Sequence, residues 1–281
     1  MHKRILILSL IFFQFIGAQQ IPSVEHRIRD LYVKSLTKGK SYLWLEHISK
    51  NIGGRLSGSL NAQRAIDWVK DELNDIDYLD SVWLQPIMVP KWVRGTFEYA
   101  NIESSPGNTI NVNVCSLGGS IATPTGGIRA NVVEVKSIKE LDSLGEKNIK
   151  GKIVFFNRPM QPGLVNTFKA YEGVRLLRYH GADNAARYGA VAVLVRSMNL
   201  RLDDYPHTGV MSYGSLPISK RIPAASISTN DSELLSSMIS LNPNLRFFLR
   251  QDCKNYPEVK SYNVIGQIKG TEFPDKIILV G

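Results

Sequence analysis

Between Ser120 and Asn255 short β-prone runs alternate with helical stretches, and no other feature constrains the fold as much. The runs are Ala130–Val135, Lys152–Phe156, Ala190–Val195 and Ala224–Ile227; the helical stretches lie near Gly173–Tyr188 and Asp231–Ile239. Gly- and Pro-rich loops join them. The texture is that of a compact α/β domain over 120–255, of ordinary domain size. The last stretch, Ser261–Gly281, reads as two further strands. Val264, Ile265 and Ile268 lie in the first, a Gly270–Asp275 turn follows, and Ile277-Ile278-Leu279-Val280 is an unbroken apolar run. Such a run is expected to be a strand buried on both faces. Its return to core-like strands makes 120–255 an insertion within a first domain formed by 19–119 and 256–281.

The N-terminal part is helical. Val24, Ile28, Leu31, Tyr32 and Leu36 follow helical spacing, and Tyr42, Leu45, Ile48 and Ile52 mark a second stripe with Ser41 as expected N-cap and Gly53-Gly54 as its end. Ser59 is placed to cap a third helix carrying Ala62, Ala65, Ile66, Val69 and Leu73 on one face. Strand character begins at Ser81–Pro90, where two prolines suit an edge strand. Thr96–Ile102 and Asn111–Leu117 alternate as further strands.

At 281 residues, 43% hydrophobic and 21% charged, the chain has a globular composition without low-complexity tracts. Met1-His-Lys-Arg4, the apolar core Ile5–Ile16 and the small residues Gly17-Ala18 read as a secretory signal peptide, 1–18. That core falls short of the roughly 20 residues a membrane-spanning helix needs, so an exported chain without a membrane span is expected. The net charge of +9 includes a basic cluster, Arg175, Arg178, Arg187 and Arg196, interleaved with Tyr171, Tyr179 and Tyr188. This pattern fits a nucleic-acid surface or, more simply, the solvated face of an exported protein, and no nucleic-acid partner is expected. Cys115 and Cys253 could pair in an oxidising compartment, or could be two separately buried thiols, which is the simpler reading.

No His-Glu-x-x-His, nucleophile elbow or phosphate-binding loop occurs. Ser57 and Ser59 precede a helix and are read as turn and cap residues. Asp203-Asp204-Tyr-Pro-His207 offers two carboxylates and an imidazole within five residues, yet zinc catalysis needs three ligands with a supporting shell, so a polar loop is the expectation. His26 and His47 are expected on helix surfaces, and His180, before Gly181, at a helix end.

Two resemblances follow from these residues. Gly151-Lys-Ile-Val154, Gly189-Ala190 after a helix, and Ile222-Pro-Ala224 resemble a protease-associated (PA) domain. The flanks, Gly53-Gly-Arg-Leu-Ser-Gly-Ser59, Ala65–Trp68, Val89–Gly95, Thr208-Gly209 and Ser261–Gly266, resemble the N-terminal part of the M28 zinc exopeptidases, in the carboxypeptidase Q (plasma glutamate carboxypeptidase) branch. The resemblance implies an exported two-zinc enzyme that hydrolyses dipeptides or short peptides, with the PA insert shaping the site and homodimerisation left open. It also implies that the first metal-binding residues follow the strand matching Ile277–Val280. No catalytic, cofactor-binding or metal-ligating residue is therefore carried over to this sequence, which is expected to be a fragment inactive alone. A non-catalytic PA-type binding module and an M28 aminopeptidase are the alternatives.

Overall fold

The computed structural model describes residues 23–281, so the expected signal peptide 1–18 lies outside the described residues. The chain divides into two compact units at Gly54/Arg55.

The described part of the first unit holds helix α1 (Val24–Lys38) and helix α2 (Ser41–His47), which runs into a π-helical turn over Ile48–Ile52. Ser23 caps α1 by accepting from His26 N. Ser41 was expected to cap α2, but it is the first helical residue, and the capping position is Lys40, which offers no side-chain acceptor. Gly53, at φ 75°, turns the chain out of the helix, a conformation that favours glycine. The apolar stripe of α1, including Leu31 and Leu36, is exposed.

The second unit begins with helix α3 (Leu60–Asn74), capped by Ser59, whose hydroxyl accepts from Ala62 N. It packs on an antiparallel ribbon of β1 (Ser81–Val93) and β10 (Lys254–Gln267). The register runs from Ser81 opposite Gln267 to Val93 opposite Lys254 and shifts around Pro90, which can donate no ladder bond. The proline-containing β1 is thus an edge strand, as its sequence requires.

The ribbon frames an eight-stranded sheet. Its strands are β2 (Glu98–Ser105), β3 (Asn108–Val112), β4 (Val114–Ser116), β5 (Ile128–Val135), β6 (Ile153–Phe156), β7 (Ala192–Arg196), β8 (Ala224–Ile227) and β9 (Arg246–Gln251). They are ordered β3-β2-β9-β5-β6-β7-β8-β4, with β5 to β8 parallel and the other pairs antiparallel. Asn111–Leu117, expected as one strand, breaks at Asn113 into β3 and β4 at opposite ends of that order. Asn113 is held there by its backbone and side-chain N–H groups donating to Asp231.

Helices α4 (Ile138–Ile149) and α5 (Thr167–Arg187) cover one face and α6 (Thr229–Leu241) the other. Successive strand residues therefore serve different cores. Val154, Phe156, Val193 and Val195 join Leu177, Ala182 and Ala185 of α5, while Ile153, Phe155, Ala192 and Leu194 join Leu235 of α6. This two-sided burial explains why the central runs are apolar throughout.

Two elements were not anticipated, α4 and β9. Helix α5 is longer than expected and carries His180 in its interior rather than at an end, because Gly181 continues the helix against the Phe156 ring, 2.8 Å from where a Cβ would stand. The expected buried strand Ile277–Val280 is irregular and its side chains are 87–90% exposed. The apolar run finds no ladder among the described residues, since the ends of the eight-stranded sheet are β3 and β4 and the ribbon closes with Gln267.

Candidate functional site

In α/β sheets chemistry gathers beyond the carboxyl ends of the parallel strands, and here that edge carries a polar network. At the end of β7 the buried Arg196 donates to Asn157 Oδ1 (3.2 Å) and Glu233 Oε1 (2.6 Å). Asn157, just past β6, donates in turn to Glu134 Oε1 (2.9 Å). Ser197 Oγ donates to Ile227 O (2.6 Å) and accepts from His207 N (2.7 Å). These bonds fasten the loop after β7 across the ends of β6, β7 and β8.

The Asp203–His207 loop does not converge on a common point. The Asp203 carboxylate accepts from Tyr205 N, Arg201 Nε and Asn199 Nδ2, and its backbone N–H donates to Thr229 Oγ1. The bond from Tyr205 N, aided by Arg201, holds the Asp203 carboxyl below its ordinary range. Asp204 turns towards α6 and accepts from Asn230 Nδ2. His207 is held below the usual imidazole range, first by partial burial and then by the charge of Arg178. Among the described residues no group of three or more His, Cys, Asp or Glu side chains could hold a metal ion. The donor set present here does not fit a zinc centre.

The basic cluster is not a continuous surface. Arg175 pairs with Glu172 and Arg187 with Asp183 along α5, while Arg178 and Arg196 are buried. Chain order interleaves residues that α5 and β7 send to different places. Cys115 and Cys253 are both free. Burial is the main reason that both thiols are pushed up, which disfavours the reactive thiolate.

Next to this edge the Thr208-Gly209 loop leads to Tyr213, 6% exposed, whose hydroxyl donates to Ile222 O (2.6 Å) and accepts from Ile121 N (3.3 Å). Burial pushes the phenol up to about 12. A raised folded-state value means that the unfolded chain releases this proton first, near pH 10. The stabilisation is complete below about pH 10 and disappears as pH rises to about 12. Urea unfolding from pH 9 to 12 is expected to show an extra loss of about 2–3 kcal/mol relative to Tyr213→Phe. Parallel curves for the two proteins would show that the hydroxyl is not buried.

The Trp92–Gly95 segment forms the joint between ribbon and sheet. Trp92 Nε1 donates to Ser120 O (2.9 Å), and Arg94 Nη1 reaches Glu98 Oε1 (2.9 Å), Cys115 Sγ (2.9 Å) and Ser116 O (2.8 Å). Gly95, at φ 87°, lies against Asp252, whose carboxylate accepts from the backbone N–H groups of Thr96 and Phe97; a Cβ at Gly95 would collide with it.

No protein-family model matches the chain. Carboxypeptidase Q of Xenopus laevis is 36% identical over 258 residues, covering 92% of this chain and 52% of the relative. That of Bos taurus is 34% identical over 258 residues, covering 92% and 51%. The chain thus spans about half the length of the curated relatives it matches. Among solved structures, the peptidase M28 precursor from Shewanella amazonensis SB2B superposes with a TM-score of 0.79 at 31% identity, over 86% of this chain and 53% of that one. A zinc aminopeptidase from Bacillus subtilis shares the fold, with a TM-score of 0.53 at 19% identity, over 83% and 47% of the two chains. Across nine-tenths of its length this mixed α/β chain is a homologue of carboxypeptidase Q, and its fold is that of the M28 peptidase precursor.

Proposed function

We propose that the chain is part of an exported zinc-dependent exopeptidase of carboxypeptidase Q type, acting on dipeptides or short peptides. The observation that carries this reading is the extent of the relationship, 33–36% identity over 258 residues to carboxypeptidase Q of several vertebrates. It runs through the flanks and the eight-stranded sheet together. In this reading 1–18 is a signal peptide and 120–255 a PA-type insertion that shapes the site. Zinc would activate water and polarise the scissile carbonyl. The described residues contain no donor set for it, so residues 23–281 alone are expected to be inactive.

The test is to isolate the natural product from its host, record its intact mass, and assay dipeptide hydrolysis before and after chelation. The expected species is substantially heavier than 31.4 kDa, loses activity to a chelator and regains it with zinc. A natural product no heavier than that mass and without hydrolytic activity would overturn the reading in favour of a binding module. Zinc-dependent hydrolysis by the 281-residue chain itself would overturn its expected inactivity.

A further inference from the structure

The amino edge of the parallel strands, opposite the polar network, carries a cleft of about 540 Å³. That volume lies within the roughly 300–1,000 Å³ typical of small-molecule sites. It opens where the four strands begin: Ile128 starts β5, Gly151 precedes β6, Val191 precedes β7 and Ile222 precedes β8. Half-buried apolar side chains from both faces of the sheet meet there. Ile121 and Ile222 pack on the core beneath α4 and α5, and Ile128 and Val191 on the core beneath α6. One buried group pins two of these walls, since the Tyr213 hydroxyl donates to Ile222 O and accepts from Ile121 N.

The charged side chains that line the cleft are Arg129 and Arg221, and no carboxylate lines it. Arg221 stands over the Tyr213 ring, its Cζ 5.0 Å from the ring centre, and its Nε donates to Leu216 O at 3.4 Å. Among the described residues its Nη groups meet no acceptor, which leaves two donors for a ligand. Arg129 Nη1 donates to Glu103 Oε2 (3.0 Å), and Arg246 faces the same carboxylate at 3.7 Å, so two guanidinium groups share one anion. The cleft therefore joins apolar walls to a surplus of positive charge. Backbone groups at its rim are already paired, Gly151 N–H to Gly189 O and Val191 N–H to Lys152 O, both at 2.9 Å. A peptide laid there would leave amide groups short of partners, a cost that an alkyl chain does not carry.

We propose that this cleft binds a single-chain organic anion, an alkyl carboxylate. Its tail lies against Ile121, Ile128, Val191 and Ile222, and its head meets Arg221. The guanidinium fork suits a carboxylate, which takes two parallel N–H bonds from it. Burial of the tail supplies the apolar part of the affinity. The proposal goes beyond the peptidase reading and does not rest on it.

The experiment follows the methyl resonances of Ile121, Ile128 and Val191 in the isotope-labelled protein during titration with octanoate, octanol, octylammonium and acetate. Octanoate is expected to shift them saturably and octanol about tenfold more weakly, while octylammonium and acetate leave them in place. Arg221→Gln, which removes the fork, is expected to bring the affinity for octanoate down to that for octanol. Ala122→Trp, at the exposed rim of the cleft, is expected to fill it and abolish the shifts. Absence of octanoate binding, equal affinity for octanol, saturable binding of octylammonium or acetate, or unchanged binding in Arg221→Gln would each overturn the proposal. The comparison of the four probes on the unaltered protein decides the matter even where a variant fails to fold.

Discussion

Truncating Phe155 to alanine is expected to lower the free energy of unfolding by about 3–5 kcal/mol. Phe155 sits in β6, paired in parallel with β5 on one side and β7 on the other. Its side chain is 0% exposed and joins Ile153, Leu194, Leu235, Leu245 and Phe247 in one core cluster. A buried strand has little freedom to collapse around the lost ring, which places the cost in the upper part of the range for large-to-small changes. Ile278→Ala is the matching control. Its side chain is 90% exposed, and the expected change is within about 0.5 kcal/mol. Urea unfolding of the two variants of residues 23–281 measures both. A cost below about 1 kcal/mol at Phe155 would contradict the central position of β6.

The same pair of sites shows what could be learned from sequence. Ile153-Val-Phe-Phe156 and Ile277-Ile-Leu-Val280 have the same pattern, yet one is fully buried and the other lies open. Periodicity reports that a run can be buried; only neighbouring strands decide whether it is. Local signals fared better. Ser59 caps α3 as expected because a cap requires only residues within one turn. Ser137 and Glu140 mark the start of α4 in the same way, with Ser137 Oγ accepting from Glu140 N. The helix was missed because Gly145, at φ 61°, interrupts its stripe. Site geometry was the least legible. Asp203, Asp204 and His207 are close in sequence, but their side chains take different partners. Arg178 was grouped with Arg175 and Arg187 by spacing, whereas the fold buries it and leaves those two in surface pairs.

Replacing Arg94 by methionine is expected to cost about 3 kcal/mol, because it strands a charge at the joint between ribbon and sheet. The Arg94 and Glu98 side chains are 30% and 19% exposed and meet at 2.9 Å. Glu98 Oε1 also accepts from Ser116 N (2.8 Å), so the carboxylate ties the start of β2 to β4. Methionine keeps an aliphatic side chain but loses the guanidinium over the Trp92 ring, and it leaves Glu98 without its counter-charge and Ser116 O and Cys115 Sγ without that donor. Glu98→Gln keeps an acceptor for Ser116 N and removes the charge, so its cost is expected to be nearer 1 kcal/mol. The double variant should then be less damaged than the sum of the two, since removing the carboxylate also removes the penalty created by losing the arginine. Unfolding free energies of the four proteins close the cycle. Additive costs would mean that the two charges do not act on each other, and the tie between ribbon and sheet would have to rest on contacts such as those of Trp92, Asp252 and Asn255.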